Sequence, residues 1–206
     1  KRRVQTSDVA DGGAKVMVEV RDEAAKIDLN AATPALLSGL FVELGEPRER
    51  AERLAGAIVD WRDPDNLSQP AGGAEDPAYA SAGLAWGAKD APFDSVAELE
   101  QVLGMRPALY AAAAPHLTMY SGNGTPDANI ADGVVLAAMG LEPRSAPIDP
   151  DAPPASAGSG TYSIDSRARL PDGRSAHLSV VLRMGGNALP GSTYTPLRWQ
   201  AGSDAR

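Results

Sequence analysis

Helix-period and strand-period spacing of apolar residues occupy separate stretches of this 206-residue chain, and that segregation limits the fold more than any other feature. Val16, Val18 and Val20 alternate, which predicts a strand over 15–20. Thr33-Pro34 then supplies a cap and a proline at the first helical position, followed by Leu36, Leu37, Leu40 and Phe41 on one face. Gly45 ends that helix, and Pro47 opens a second, in which Ala51, Leu54, Ala55 and Ile58 recur at three- and four-residue steps until Pro64 disfavours continuation. Ser95 and Glu98 form a capping box ahead of Val96, Leu99, Val102 and Leu103, stopped by Gly104. A fourth helix runs from Pro107 to Pro115, and a short strand from Leu117 to Tyr120.

The remainder reverses the pattern. After a helix within Asp127–Leu141 comes a Pro-, Ala-, Ser- and Gly-rich stretch opened by Glu142, read as a flexible connection over 143–160. Two alternating runs, Tyr162–Leu170 and Ala176–Arg183, flank Pro171-Asp172-Gly173 as a hairpin, and Tyr194–Trp199 makes a last strand. Strands grouped apart from helices predict an α+β fold. Asn129, Val135 and Leu136 echo Asn30, Leu36 and Leu37, a weak internal repeat.

Carboxylates concentrate between the helices. Trp61-Arg62-Asp63-Pro64-Asp65 and Gly73-Ala74-Glu75-Asp76 are followed by Asp90 and Asp94, with little paired base. Like charges this dense repel unless water or a cation separates them. Calcium takes six to eight oxygens at flexible geometry, and Asp63, Asp65, Glu75, Asp76, Asp90 and Asp94 supply enough for one or two ions. Asp63, Asp65, Glu75 and Asp90 are the favoured ligands. The spacing is not that of an EF-hand, because Ala74 stands twelfth from Asp63. The competing reading is a set of helix caps and solvated loop charges, with Asp60 pairing locally to Arg62.

Other classes fit less well. His116 and His177 lie in different stretches, with no nucleophile or carboxylate at a catalytic spacing, so no enzyme is expected. Net charge of −8 opposes binding to phosphate backbones. A helix-hairpin-helix nucleic-acid binder is the alternative, from the lead-in Ile27-Asp28-Leu29-Asn30-Ala31-Ala32. Its turn, however, reads Leu44-Gly45-Glu46-Pro47, and Glu49 and Glu52 interleave with Arg48, Arg50 and Arg53. There is no cysteine, hence no disulfide or thiolate metal site.

The ordered set of local motifs resembles the K-type minor pseudopilins of bacterial type II secretion systems. The residues that carry it are Ile27-Asp28-Leu29-Asn30 and Ile58-Val59-Asp60-Trp61-Arg62-Asp63-Pro64-Asp65, then Gly73-Ala74-Glu75-Asp76 with Tyr79. Ala91-Pro92-Phe93-Asp94-Ser95 with Glu98-Leu99, Gly104-Met105 with Tyr110, Leu117-Thr118 with Tyr120-Ser121, and Leu197-Arg198-Trp199 continue it. The resemblance implies a pilin-like antiparallel β-sheet domain at 1–26 and 118–206. Into it a large helical domain, SAM-like or helix-hairpin-helix-like, is inserted at 27–117. It also implies calcium in the helical domain, a place at the pseudopilus tip beside I- and J-type minor pseudopilins and other pseudopilus subunits, and no enzymatic role. An N-terminal helix anchored in the inner membrane would precede the abrupt start at Lys1-Arg2-Arg3, leaving these residues on the periplasmic side.

Overall fold

The computed structural model describes residues 3–9, 14–142, 158–185 and 193–204. In chain order the elements are β1 (Arg3–Val9), β2 (Ala14–Asp22), β3 (Ile27–Asp28), α1 (Pro34–Glu43), α2 (Arg48–Arg62), α3 (Asp76–Ser81) and α4 (Pro107–Ala113). They continue with β4 (Leu117–Thr118), α5 (Gly133–Ala138), β5 (Thr161–Arg169), β6 (Ser175–Met184) and β7 (Tyr194–Asp204). Single 3-10 segments lie at Glu23–Ala25, Val96–Gln101 and Ala114–His116. Helices and an antiparallel sheet thus coexist, as α+β requires. The expected flexible connection lies mostly outside the described residues.

The chain divides into two compact units, one of residues 1–25 with 147–206 and one of residues 26–146. In the first unit, strands run in the order β1-β2-β5-β6-β7, each neighbouring pair antiparallel. β1 was not anticipated, and β7 extends well past Trp199. The β5–β6 hairpin closes where anticipated, with Gly173 at φ 88° and Leu170 N–H donating to the Arg174 carbonyl. Alternation gives the sheet two faces. Val20, Ile164, Val180 and Trp199 share one cross-strand row, and Arg21, Ser163, Val181 and Arg198 another on the opposite face.

The second unit holds the larger core, built from Leu37, Leu40 and Phe41 of α1, Ile58 and Trp61 of α2, Tyr79, Phe93 and Leu99, and Val135 of α5. The boundary expected at Leu117 falls later. β4 pairs in parallel with β3, fastening Leu117 beside Ile27. Asp28 is buried and accepts from Ser121 Oγ at 3.0 Å and Gly122 N–H at 2.8 Å. Beyond it, α5 lies so close to α1 that a Cβ at Gly39 would overlap the Ala138 carbonyl. Residues 118–142 therefore group with the helices rather than the sheet.

Local chemistry explains most boundaries. Thr33 Oγ1 accepts from Leu36 N–H at 3.3 Å and caps α1, and Gly45 ends it at φ 93°. The weak repeat has a structural counterpart: Asn30 N–H donates to Asp28 Oδ1, and Asn129 N–H donates to Asp127 Oδ1. Asp132 then caps α5 as Thr33 caps α1, accepting from Val135 N–H at 3.0 Å. The capping box at Ser95 and Glu98 is present, yet it opens a 3-10 segment rather than an α-helix. Val96, Leu99 and Val102 are spaced by three, the 3-10 period, and that spacing buries Leu99 and Val102 together.

Candidate metal centre

Three carboxylates meet where α2 ends and α3 begins. Asp60 stands in the last turn of α2, Asp63 is its C-cap, and Glu75 occupies the N-cap position of α3. One oxygen of each lies within 4.8 Å of the others. Asp60 is fully buried and Glu75 is 5% exposed. The returning loop approaches closely because it is glycine there: a Cβ at Gly73 would overlap Asp60 Oδ2. Gln69 N–H donates to Asp60 Oδ1 at 3.2 Å, and Asp65 Oδ1 accepts from Leu67 N–H at 2.8 Å, shaping the loop between them.

The oxygens left over are the notable feature. Both Glu75 oxygens and Asp63 Oδ1 are buried with no hydrogen-bond partner. Native interiors rarely leave such atoms unpaired, because each forfeits its hydration. Burial pushes the Glu75 carboxyl up to about 7, with Asp60, Asp90, Asp63 and Asp65 adding to the rise. Burial likewise raises Asp63, reinforced by Asp65 and Asp90 against the lowering effect of Arg62. Asp60 is also raised, its burial outweighing hydrogen bonds from the Gln69 and Ala74 backbone. Excess negative charge with free oxygen lone pairs suits a hard, oxygen-seeking dication.

Of the residues singled out from sequence, Asp63 and Glu75 join this cluster, and Asp65 and Asp90 act on it electrostatically. Asp90 is the non-glycine residue with positive φ, 52°, among those described, so the backbone there holds a sparsely populated conformation. Asp76 is exposed in the first turn of α3, against Gly87. Asp94 is exposed and paired with Lys89 at 2.6 Å, and Lys89 also reaches Glu98 at 2.7 Å. Asp60 is the member that sequence reasoning missed. It does not pair with Arg62, whose guanidinium donates to the Leu29 carbonyl and, at 2.6 Å, to that of Ala32. Residues two apart on a helix point to different sides, so a local pair was sterically remote. The available signal was Gly72-Gly73, which lets a buried acid face backbone.

Aromatic and polar ties hold this region to the core. The Trp61 ring packs against Tyr79 and Phe93 with centroids 6.1 and 6.2 Å away. Asn30 clamps the Phe93 backbone twice, donating to its carbonyl at 3.0 Å and accepting from its N–H at 2.7 Å. The α1–α2 turn, where a helix-hairpin-helix module would grip phosphate, instead contains buried Glu46, paired with Arg106 and, at 3.6 Å, Arg50. Arg48 and Arg53 pair with Glu52 and Glu49 along α2.

An α+β chain with a carboxylate cluster at a helix junction defines the class, and comparison with known proteins places it. Residues 16–122, just over half of the chain, match the family described as Type II secretion system (T2SS), protein K. The chain belongs to that family. A type II secretion system protein K from Pectobacterium carotovorum subsp. carotovorum is 35% identical over 78 residues, covering 38% of this chain and 24% of that protein. The match thus spans only about a quarter of the relative's length. The GspK-GspI-GspJ complex of the enterotoxigenic Escherichia coli type 2 secretion system contains a chain of similar fold, at TM-score 0.68 and 20% identity. The similarity covers 97% of this chain and 83% of that one.

Proposed function

We propose that these residues form the periplasmic part of a minor pseudopilin that initiates and caps the pseudopilus of a type II secretion system, as a structural and non-enzymatic component of protein export. Family membership and the fold shared with a chain of a GspK-GspI-GspJ complex support this reading. The expected partners are I- and J-type minor pseudopilins, with anchoring in the inner membrane by a helix preceding these residues. Among the described residues no helix is long and apolar enough to cross a membrane.

The observation that carries the mechanistic part is the set of buried, unpartnered oxygens on Glu75 and Asp63 beside Asp60. Calcium would be held by Asp60, Asp63 and Glu75, with Asp65 and Asp90 from the flanking loops completing the anionic environment. Bound there, it would neutralise mutually repelling carboxylates and cross-link the end of α2 to the start of α3. Asp76 and Asp94, from the wider acidic set, would act at the rim. Asn30 and Trp61 keep the junction seated on the core whether or not cation is present.

Mixing the chain with purified I- and J-type partners and measuring mass in solution tests the assembly reading. A ternary complex in calcium, weakened by chelator, is expected. Failure to associate under either condition would overturn it.

A further inference from the structure

The polar face of the five-stranded sheet carries a feature that the acidic junction does not use. At the β5–β6 hairpin end, register aligns Lys15 with Arg169 and Ser175, and Met17 with Arg167, His177 and Gly202. These residues, with neighbouring backbone, line a groove of ≈ 760 Å³. Lys15, Arg167, Arg169 and His177 are all exposed. Among the described residues, Lys15, Arg167 and Arg169 have no ion-pair partner, whereas His177 lies 3.4 Å from Asp165, and Arg174 at the hairpin pairs with Asp172 at 2.7 Å. In a chain of net charge −8, three unengaged cations on adjacent strands form a local inversion of sign.

The strip is narrow. Asp165, one row further along β5, limits it in the strand direction. An extended polyanion, whether a nucleic acid or an anionic bilayer, would meet Asp165 and the overall negative charge. A short segment bearing a few carboxylates would not. Arg167 and Arg169 project from alternate positions of one strand, and the guanidinium fork matches a carboxylate in two-point geometry. Met17, 48% exposed between the cations, adds an apolar patch suited to one aliphatic side chain.

We propose that this groove seats a short acidic segment of a partner pseudopilin, with its carboxylates on Arg167, Arg169 and Lys15 and an apolar side chain on Met17. The proposal rests on the assembly reading above and adds the surface and the chemistry of the contact. Charge complementarity at an exposed rim sets encounter rate and salt sensitivity more than final affinity.

Affinity for the I- and J-type partners should be measured by titration calorimetry, in calcium, at roughly 50 and 300 mM salt, across the range where screening becomes strong. The wild-type chain, the double reversal Arg167→Glu/Arg169→Glu and the milder Arg167→Gln/Arg169→Gln are compared, each checked for fold by circular dichroism. The account expects binding about tenfold weaker for the milder variant at low salt, a larger loss for the reversal, and a flattened salt dependence in both. Unchanged affinity and salt dependence in the folded milder variant would overturn the groove while leaving the assembly reading intact. Absence of any wild-type complex would overturn both. Phosphatidylglycerol vesicles provide the other arm: loss of vesicle binding with partner binding retained would also overturn the proposal.

Discussion

Glu75 shows how much of this molecule rests on single buried oxygens. Its carboxyl is raised to about 7, whereas in an unfolded chain it titrates near 4.5. Without a cation, the unfolded state releases the proton first, so stability contributed by the protonated group is lost as pH climbs from 4.5 to about 7. In chelator at pH 8, Glu75→Gln should therefore be more stable than wild type, on the order of 2 kcal/mol. The advantage should vanish near pH 4, and denaturant melts at the two pH values check it. Asn30 works oppositely. Its amide satisfies both polar groups of the Phe93 backbone, and Asn30→Ala should cost about 2 kcal/mol, measured by urea unfolding.

Elements in this chain begin and end where short-range chemistry dictates, and those are the ones that could be read in advance. Thr33-Pro34, Gly45 and the β5–β6 turn act through neighbours a few residues away, so the linear chain contains the whole signal. α3 is six residues long, too short for an apolar period, and only Asp76-Pro77 at its start marks it. Asp60 escaped notice because an acid near the end of an exposed-looking helix reads as solvated. Its burial depends on Gly73, brought back from thirteen residues later. Of the junction, Asp63 and Glu75 were legible as acids in a suspicious loop, but their convergence on Asp60 was not.

The same scale carries the α5 cap. Asp132 accepts from Val135 N–H and meets His116 Nδ1 at 2.8 Å, and these contacts hold its carboxyl below its ordinary value despite partial burial. A lowered carboxyl contributes stability above its unfolded value of 3.8 and loses it as pH falls through the native one. Asp132→Ala should cost about 1 kcal/mol at pH 7. That difference should shrink below pH 3.8, as thermal melts across the acid range would show.

At the scale of the whole molecule, the helical unit confines a cluster of like charges that no described side chain pairs with directly. Arg62, the nearest base in sequence, is occupied with the carbonyls that precede α1, and Lys89 is engaged by Asp94 and Glu98. On the proposed structural role in a type II secretion pseudopilus, such a unit would work through its shape, and a cation bound at the junction would keep that shape. The most direct test is scanning calorimetry of the chain at pH 7.5, in chelator and in millimolar calcium. The account predicts a higher melting temperature in calcium, by several degrees for a site occupied about a hundredfold above its dissociation constant, and no such gain in Glu75→Gln. Identical melting of the wild-type chain in both conditions would contradict it.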